Sequence, residues 1–378
     1  MPRRALLVTY SLELGGTQRA TVFLAETLAR AGWRVDVFLC ADRPRHFTLP
    51  PAIAVIEGWR AKGRANGLGL AGRSVAQALA LRSVLRAHRP DVIVGLGNTP
   101  SLLALAASRG LGLPVVVSDR VAPSQDGMER GLWRVAVRLL YPRAARLVAI
   151  TQGIATERAW LPEGKVVVIP NAVQVDGQAG PHDPRLVPAG SPHLIALGRL
   201  HPQKGFDLLL EAFARLAPQF PAWHLTILGE GPERAALERL VARFGLDGRV
   251  QLPGAVRSPA PPLRAAAEAG GVFAFPSRYE GFPNALIEAM ACGLPVVAAD
   301  CPHGPREILE GGKHGLLVPP ENPEALAEAL ARLMADPALR ADHAARARAR
   351  AADFAPERIA PLWLNLLEEV MREHHIAD

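Results

Sequence analysis

Cysteine is scarce and scattered. The 378 residues hold three, Cys40, Cys292 and Cys301, none in a CxxC spacing. That excludes a disulfide scaffold or a zinc ribbon and fits a reducing, cytoplasmic compartment. Aromatic residues make up only 5%, with no interleaving of basic and aromatic side chains, so nucleic acid is not expected as a partner. No uninterrupted apolar run is long enough to span a bilayer. The opening Met-Pro-Arg-Arg has the outline of a signal peptide, but the apolar run Ala5–Tyr10 is short and is ended by Glu13 and Gly15-Gly16. It reads as a first strand. Also missing are G-x-x-x-x-G-K-[ST], HExxH, a Ser nucleophile elbow, and the D-x-D of a metal-dependent sugar-nucleotide site. No metal site and no cofactor is therefore expected, and the chain reads as soluble or peripheral on the inner face of the plasma membrane.

Acidic residues are missing from one half in particular. Residues 1–172 carry 23 Lys+Arg against 11 Asp+Glu, a net of +12, while 173–378 carry 20 against 25, a net of −5. From Gly58 to Pro90 there are seven basic residues, Arg60, Lys62 and Arg64 among them, and no acid. The first half should seek anionic partners. Arginine filling an ordinary surface in an Ala/Arg/Pro-rich composition is the other reading, although it leaves the negative second half unaccounted for.

Strand-like and helix-like runs alternate twice, which implies parallel sheets covered on both faces. The first series runs through Ala5–Tyr10, Arg34–Leu39, Val92–Leu96, Pro114–Ser118 and Arg146–Ile150, with helices at about 17–31, 74–87, 101–108 and 129–140. The second starts at His193–Leu197 and continues through helix Phe206–Leu216, strand His224–Leu228, helix Pro232–Phe244 and strand Val250–Leu252. Gly271–Pro276, helix Asn284–Cys292 and Val296–Ala299 complete it. This predicts an α/β protein of two Rossmann-like domains, 1–172 and 193–355, joined by a Pro/Gly/Asp-rich linker at 173–192. A last helix, 356–378, packs either on the first domain or within the second. Ligands in such sheets sit beyond the strands' carboxyl ends, so two facing domains would share a cleft.

The chemistry concentrates around Glu280 and Glu288. Glu280 falls on a strand-to-helix loop and Glu288 about one turn into the helix, sharing a face with Asn284 four residues earlier. Free N–H groups at a helix start attract phosphate. Carboxylates beside such an anion site suit hydroxyls, so the stretch describes a pocket for a sugar nucleotide. Gly198-Arg199 and Lys204-Gly205 follow a strand's carboxyl end, where the two cations could clamp a diphosphate; taken alone they read more readily as a solvated basic loop, and it is the Glu280/Glu288 pair that favours the clamp. Gly229 and Gly231 leave room for close backbone approach or simply punctuate a turn, and Gly254 is a weaker example. Gly15-Gly16-Thr17 precede a helix and make an anion-tolerant nest for a diphosphate or acceptor, or a plain tight turn. Arg130, Arg134 and Arg138 recur beside Trp133, Val137 and Leu140, which fits a helix lying on an anionic membrane surface as well as an ordinary amphipathic one.

Together, Gly198-Arg199 with Lys204-Gly205, the Gly229/Gly231 loop, Glu280-x7-Glu288, Gly304-Pro305-Arg306-Glu307-Ile308 and Gly315-Leu316-Leu317-Val318-Pro319 resemble the family 4 glycosyltransferases. Those are retaining enzymes of the GT-B fold, and the likeness is to bacterial polysaccharide and lipid-linked oligosaccharide transferases. The resemblance implies a metal-independent, hexosyltransferase-like enzyme. A UDP-sugar is the favoured donor, with a GDP-sugar as the other choice, and a saccharide or polyprenyl-diphosphate-linked acceptor is implied. It gives catalytic positions to Glu280, Arg199 and Lys204, with Glu288 on the ribose, Glu280 on the donor sugar, and Arg199 and Lys204 on the diphosphate. Gly229, Gly231 and Gly254 would line the donor, and the backbone around Phe282, Pro283, Asn284 and Leu286 would touch sugar and β-phosphate. Where many relatives carry a His, this chain reads Ser118-Asp119-Arg120, so Arg120 takes that place on the acceptor side. A GT-B sugar-nucleotide epimerase or a basic non-enzymatic binding protein are the alternatives.

Overall fold

The computed structural model describes residues 2–13, 15–58, 70–125, 131–174, 183, 185–187, 192–256 and 258–377. Arg60, Lys62, Arg64, Arg130 and most of the expected linker lie outside them. The chain divides into two compact units, Met1–Ala172 with Glu357–Asp378, and Val173–Pro356.

Unit 1 is built on β1 (Arg4–Thr9), β2 (Arg34–Leu39), β3 (Ala54–Glu57), β4 (Val92–Leu96), β5 (Val115–Asp119), β6 (Arg146–Ala149) and β7 (Val166–Val168). They form one sheet in the order β3-β2-β1-β4-β5-β6-β7, and every pairing is parallel. Runs such as Val92-Ile93-Val94 and Val115-Val116-Val117 are apolar on both faces because helices cover both. Those helices are α1 (Gly16–Arg30), α2 (Leu70–His88), α3 (Asn98–Ala107), α4 (Gly131–Leu140) and the short α5 (Gln152–Glu157). Right-handed crossovers that leave β1 in one direction and reach β4 in the other put α1 on one face and α2, α3 and α4 on the opposite one.

Unit 2 repeats the plan with β8 (His193–Leu197), β9 (His224–Leu228), β10 (Val250–Gly254), β11 (Val272–Phe275), β12 (Val296–Ala299) and β13 (Leu316–Val318). Their order is β10-β9-β8-β11-β12-β13, again all parallel. Helices α6 (Phe206–Leu216), α7 (Arg234–Arg243), α8 (Ala260–Glu268), α9 (Asn284–Ala291), α10 (Pro305–Ile308), α11 (Pro323–Ala335) and α12 (Pro337–Ala351) surround it. Phe206, Phe213, Leu237 and Leu330 close one face, and Leu263, Leu286, Met290 and Ala347 the other. Val173 and Val187, from the segment expected to be a linker, are part of that second core. The last helix, α13 (Pro356–Ala377), lays Trp363, Leu367 and Val370 into the core of unit 1 beside Leu24 and Leu28 of α1.

Candidate active site

In an open parallel sheet the ligand position lies where the winding reverses. In unit 2 that is between β8 and β11. The loop after β8 carries Arg199 and Lys204, and the loop after β11 carries Glu280. Lys204 Nζ lies 2.5 Å from Glu280 Oε1, the side chains being 18% and 6% exposed, and 5.7 Å from the centroid of the Phe275 ring. Sequence reasoning gave this cation and this carboxylate separate ligands; the fold first makes them partners of each other. Arg199 is exposed and, among the described residues, has no ion pair, which leaves its guanidinium available to an incoming anion.

A second set of contacts, which spacing gave no means to foresee, holds the pair in register. Arg278 donates to Asp207 at 2.9 and 2.7 Å, to the Pro202 carbonyl at 2.7 Å and to Glu321 at 3.0 Å. Its own N–H bonds the Gln203 carbonyl at 2.8 Å, and the Gln203 amide returns to the Tyr279 carbonyl at 2.9 Å. The bidentate fork needs an arginine. Burial pushes the Asp207 carboxyl up, but the Arg278 guanidinium wins and holds it below its ordinary value. Gly205 completes the join: its φ is 65°, and a Cβ there would stand 2.2 Å from the Pro276 carbonyl oxygen, so only glycine fits. Arg278→Ala should therefore lower kcat by about tenfold by loosening Lys204 against Glu280, with Arg278→Lys recovering only part. Steady-state kinetics of the two variants check this, and an unchanged kcat in Arg278→Ala would show that the pair holds its own register.

Pro283 caps α9, Asn284 opens it, and Glu288 follows one turn later, buried at 6% exposure. Pro283 has no N–H to offer a ligand. The amides of Asn284 and Leu286 bond the carbonyls of Phe282 and Pro283 at 3.0 Å each, so these two expected sugar and β-phosphate donors are already engaged. The Phe282 ring packs edge-to-face on Phe354 at 5.9 Å. Ser277, beside Pro276, is buried with no hydrogen-bond partner for its hydroxyl; no sequence signal marked it. Cys301 and Cys292 are free and buried. Burial, reinforced by the Glu280 carboxylate, pushes the Cys301 thiol up to about 12. Burial likewise raises Cys292 to about 11 against the nearby Arg264, so neither serves as a thiolate at neutral pH.

The glycines after β9 have a definite packing reason. A Cβ on Gly229 would stand 1.8 Å from the Gly198 carbonyl oxygen, and one on Gly231 2.3 Å from that of Leu200. The close approach is thus to the chain's own cation-bearing loop. Gly254 ends β10, its carbonyl accepting the Gly229 N–H at 2.9 Å.

In unit 1 the winding reverses between β1 and β4. Gly15, Gly16 and Thr17 hold the start of α1 there, with no side-chain cap and no acid in the first turn. Arg120 follows β5. It is 8% exposed, bonded to Asn171 and, at 3.5 Å, to the Ser118 hydroxyl, with its Nε unpartnered. Burial lowers its pKa to about 10, so it stays charged. Next to it Asp119 and Arg158 form a buried pair at 2.5 Å, with the Tyr141 hydroxyl donating to Asp119 at 3.1 Å.

Two parallel-sheet units with cations and carboxylates gathered at a switch point suit an anionic, hydroxyl-bearing ligand, and comparison with known proteins identifies the class as glycosyltransferase. A family profile described as "Glycosyl transferase 4-like domain" matches residues 15–172, and "Glycosyl transferases group 1" matches 191–336. The chain is 30% identical over 273 residues to the N-acetylgalactosamine-N,N'-diacetylbacillosaminyl-diphospho-undecaprenol 4-alpha-N-acetylgalactosaminyltransferase of Campylobacter jejuni, covering 70% of this chain and 72% of that one. It is 31% identical over 340 residues to an exopolysaccharide phosphotransferase of Streptomyces coelicolor, covering 88% of this chain but only 33% of that protein's length. Among solved structures, HepE of Anabaena in complex with UDP and glucose superposes with a TM-score of 0.78 at 24% identity, over 97% of this chain and 100% of that one. The chain belongs to the family 4 glycosyltransferases, with the GT-B fold.

Proposed function

We propose that the chain transfers a sugar, with retention, from a UDP-sugar to a saccharide or lipid-linked acceptor in the synthesis of a cell-surface glycan. The observation that carries this is the Lys204–Glu280 pair at the unit 2 switch point, with Glu288 buried on the adjoining helix. The acceptor hydroxyl oxygen bonds to the anomeric carbon as the bond from that carbon to the diphosphate oxygen breaks. Attack comes from the face the diphosphate leaves, and a β-phosphate oxygen takes the hydroxyl proton. No side-chain base is then needed; what the protein supplies is position and charge. Arg199 meets the incoming diphosphate, and Lys204 adds positive charge where the leaving group becomes more negative. Charge-assisted bonds of this kind contribute about 1.5–3 kcal/mol each. In this reading the two cations do the work of a metal and no cofactor enters. Glu280 accepts from the donor sugar's hydroxyls and Glu288 from the ribose. Arg120, charged and anchored at the carboxyl end of β5, belongs to the acceptor side. The UDP and glucose bound by HepE favour uridine over guanosine. The diphospho-undecaprenol-linked acceptor in the Campylobacter enzyme's name favours a lipid-linked one.

The test is thermal denaturation with UDP, GDP, ADP and NAD, on the wild type and on Glu288→Ala against its own midpoint. At about 100 times its dissociation constant a ligand adds roughly 2.7 kcal/mol, worth a few degrees in a chain of this size. UDP should raise the midpoint of the wild type and not of the variant. A shift with GDP alone would replace the donor, and no shift with any nucleotide would remove the donor site.

A further inference from the structure

The three helices that cover the second face of the unit 1 sheet, α2, α3 and α4, contain five arginines and not one Asp or Glu. On the first face, α13 alone carries four glutamates. Arg358 and Arg372 of α13, with Arg19 and Arg30 against Glu26 on α1, bring that first face close to neutral, so the second face is the basic one. Exposed apolar side chains gather in the same unit: of the ten large ones among the described residues, nine belong to unit 1, two of them, Leu362 and Ile376, on α13. Five of the nine sit on α2 and α4.

Helix α4 shows the arrangement best. The sequence pattern pointed to Trp133, Val137 and Leu140 as the interfacial face, but Val137 is buried at 2% and Trp133 and Leu140 are half-buried. That stripe faces the protein, where it fills the space over the sheet. A second stripe, Leu132, Val135 and Leu139, is 86%, 53% and 64% exposed, and its i, i+3, i+7 spacing puts it on one outward line. Arg134 and Arg138 are exposed beside it, and the Arg138 guanidinium carbon stands over the Trp160 ring, 4.1 Å from its centroid. On α2, Val75 and Leu79 are 59% and 63% exposed, one turn apart. Single exposed aliphatics are ordinary, but a continuous line of them marks an interaction surface.

We infer that the outer face of α4, supported by α2, docks on a bilayer containing anionic phospholipid. The chemistry selects that occupant. Leu132, Val135 and Leu139 can enter the acyl boundary while the arginines, on long stems, reach the phosphates at its rim. The three helices themselves carry no carboxylate to repel a negative surface. No described helix is long and apolar enough to cross a membrane, so the contact is one of lying on the surface. The inference does not depend on the donor site, since lipid binding is measured without nucleotide.

Co-sedimentation with phosphatidylcholine vesicles, with and without phosphatidylglycerol, tests it on the full chain. The wild type should sediment with the phosphatidylglycerol vesicles at low salt, lose binding as salt rises, and bind pure phosphatidylcholine weakly. The double variant Arg134→Gln/Arg138→Gln should bind roughly 25-fold more weakly, each arginine near such a surface being worth about a fivefold change. The triple variant Leu132→Ser/Val135→Ser/Leu139→Ser should lose binding while keeping its melting midpoint, because the side chains are already exposed. Absence of wild-type binding overturns the inference, as does binding unchanged in both variants. A dimer that the triple variant converts to monomer, with no vesicle binding, would instead give the face to a second copy of the chain and equally overturn it.

Discussion

Lys204→Ala is expected to remove nearly all turnover and to destabilise unit 2 at the same time. The substitution takes the cation from a Glu280 side chain that is only 6% exposed. Breaking one side of a buried pair leaves an uncompensated charge and typically costs about 3–5 kcal/mol. In catalysis the loss falls on the leaving diphosphate, where removing one preorganised electrostatic group lowers kcat by about 10²–10³-fold. Glu280→Gln keeps the shape and gives up the charge, so it should cut turnover by a comparable factor with a smaller effect on the melting midpoint. The double variant Lys204→Ala/Glu280→Gln separates the two roles. It no longer buries a lone carboxylate, so its midpoint should recover relative to Lys204→Ala while turnover stays lost, a non-additivity expected of groups that touch. Kinetics and melting curves on the three proteins decide the matter, and near-normal turnover in Lys204→Ala would take the cation out of the mechanism.

That pair also marks how far the sequence could be read. The central strands were plain because their runs are apolar on both faces: β2, β4, β8, β9 and β12 begin and end where their composition says. The strands that escaped notice, β3, β7 and β13, are three or four residues long and mostly half-exposed. Runs that short look like loops. Helix ends drifted by one to four residues, as with α2, which starts at Leu70 rather than near Ser74. In the site, Glu280 and Glu288 were legible because a loop and a helix start fix their spacing locally. The contact of Lys204 with Glu280 was not, since they stand 76 positions apart in the chain. It depends on the turn at Gly205 closing against Pro276, and on Arg278 reaching Asp207, geometry that appears only once β8 and β11 are neighbours. The α4 helix failed in a different way. It is apolar on two sides, and periodicity alone cannot say which side the sheet will take.

The loop after β9 supplies the other large effect. Gly229→Ala should destabilise unit 2 by about 3 kcal/mol, the upper end of the roughly 1–3 kcal/mol that over-packing costs, because the atoms it meets cannot retreat. The φ of Gly229 is 156°, and the added Cβ would sit 1.8 Å from the Gly198 carbonyl oxygen and 2.9 Å from its carbon. Neither strand end can move aside cheaply. The Gly198 N–H bonds the Leu228 carbonyl at 3.0 Å, the Gly229 N–H bonds Gly254 at 2.9 Å, and the Leu200 N–H bonds Glu230 at 3.0 Å. Relief would mean breaking a ladder that runs across β8, β9 and β10. Gly254→Ala is the matched control. Its φ of 98° is also unfavourable, but the nearest atoms to a new Cβ are side-chain atoms at 3.7 and 3.8 Å, so the cost should be that of a strained backbone alone, about 1–3 kcal/mol, with no clash added to it. Thermal melting should separate the two by several degrees. Because the displaced segment carries Arg199, whatever Gly229→Ala protein folds should also lose its stabilisation by UDP, whereas Gly254→Ala should keep part of it. Equal midpoints for the two variants would mean that the loops after β8 and β9 do not pack as closely as this, and the position assigned to Arg199 would go with them.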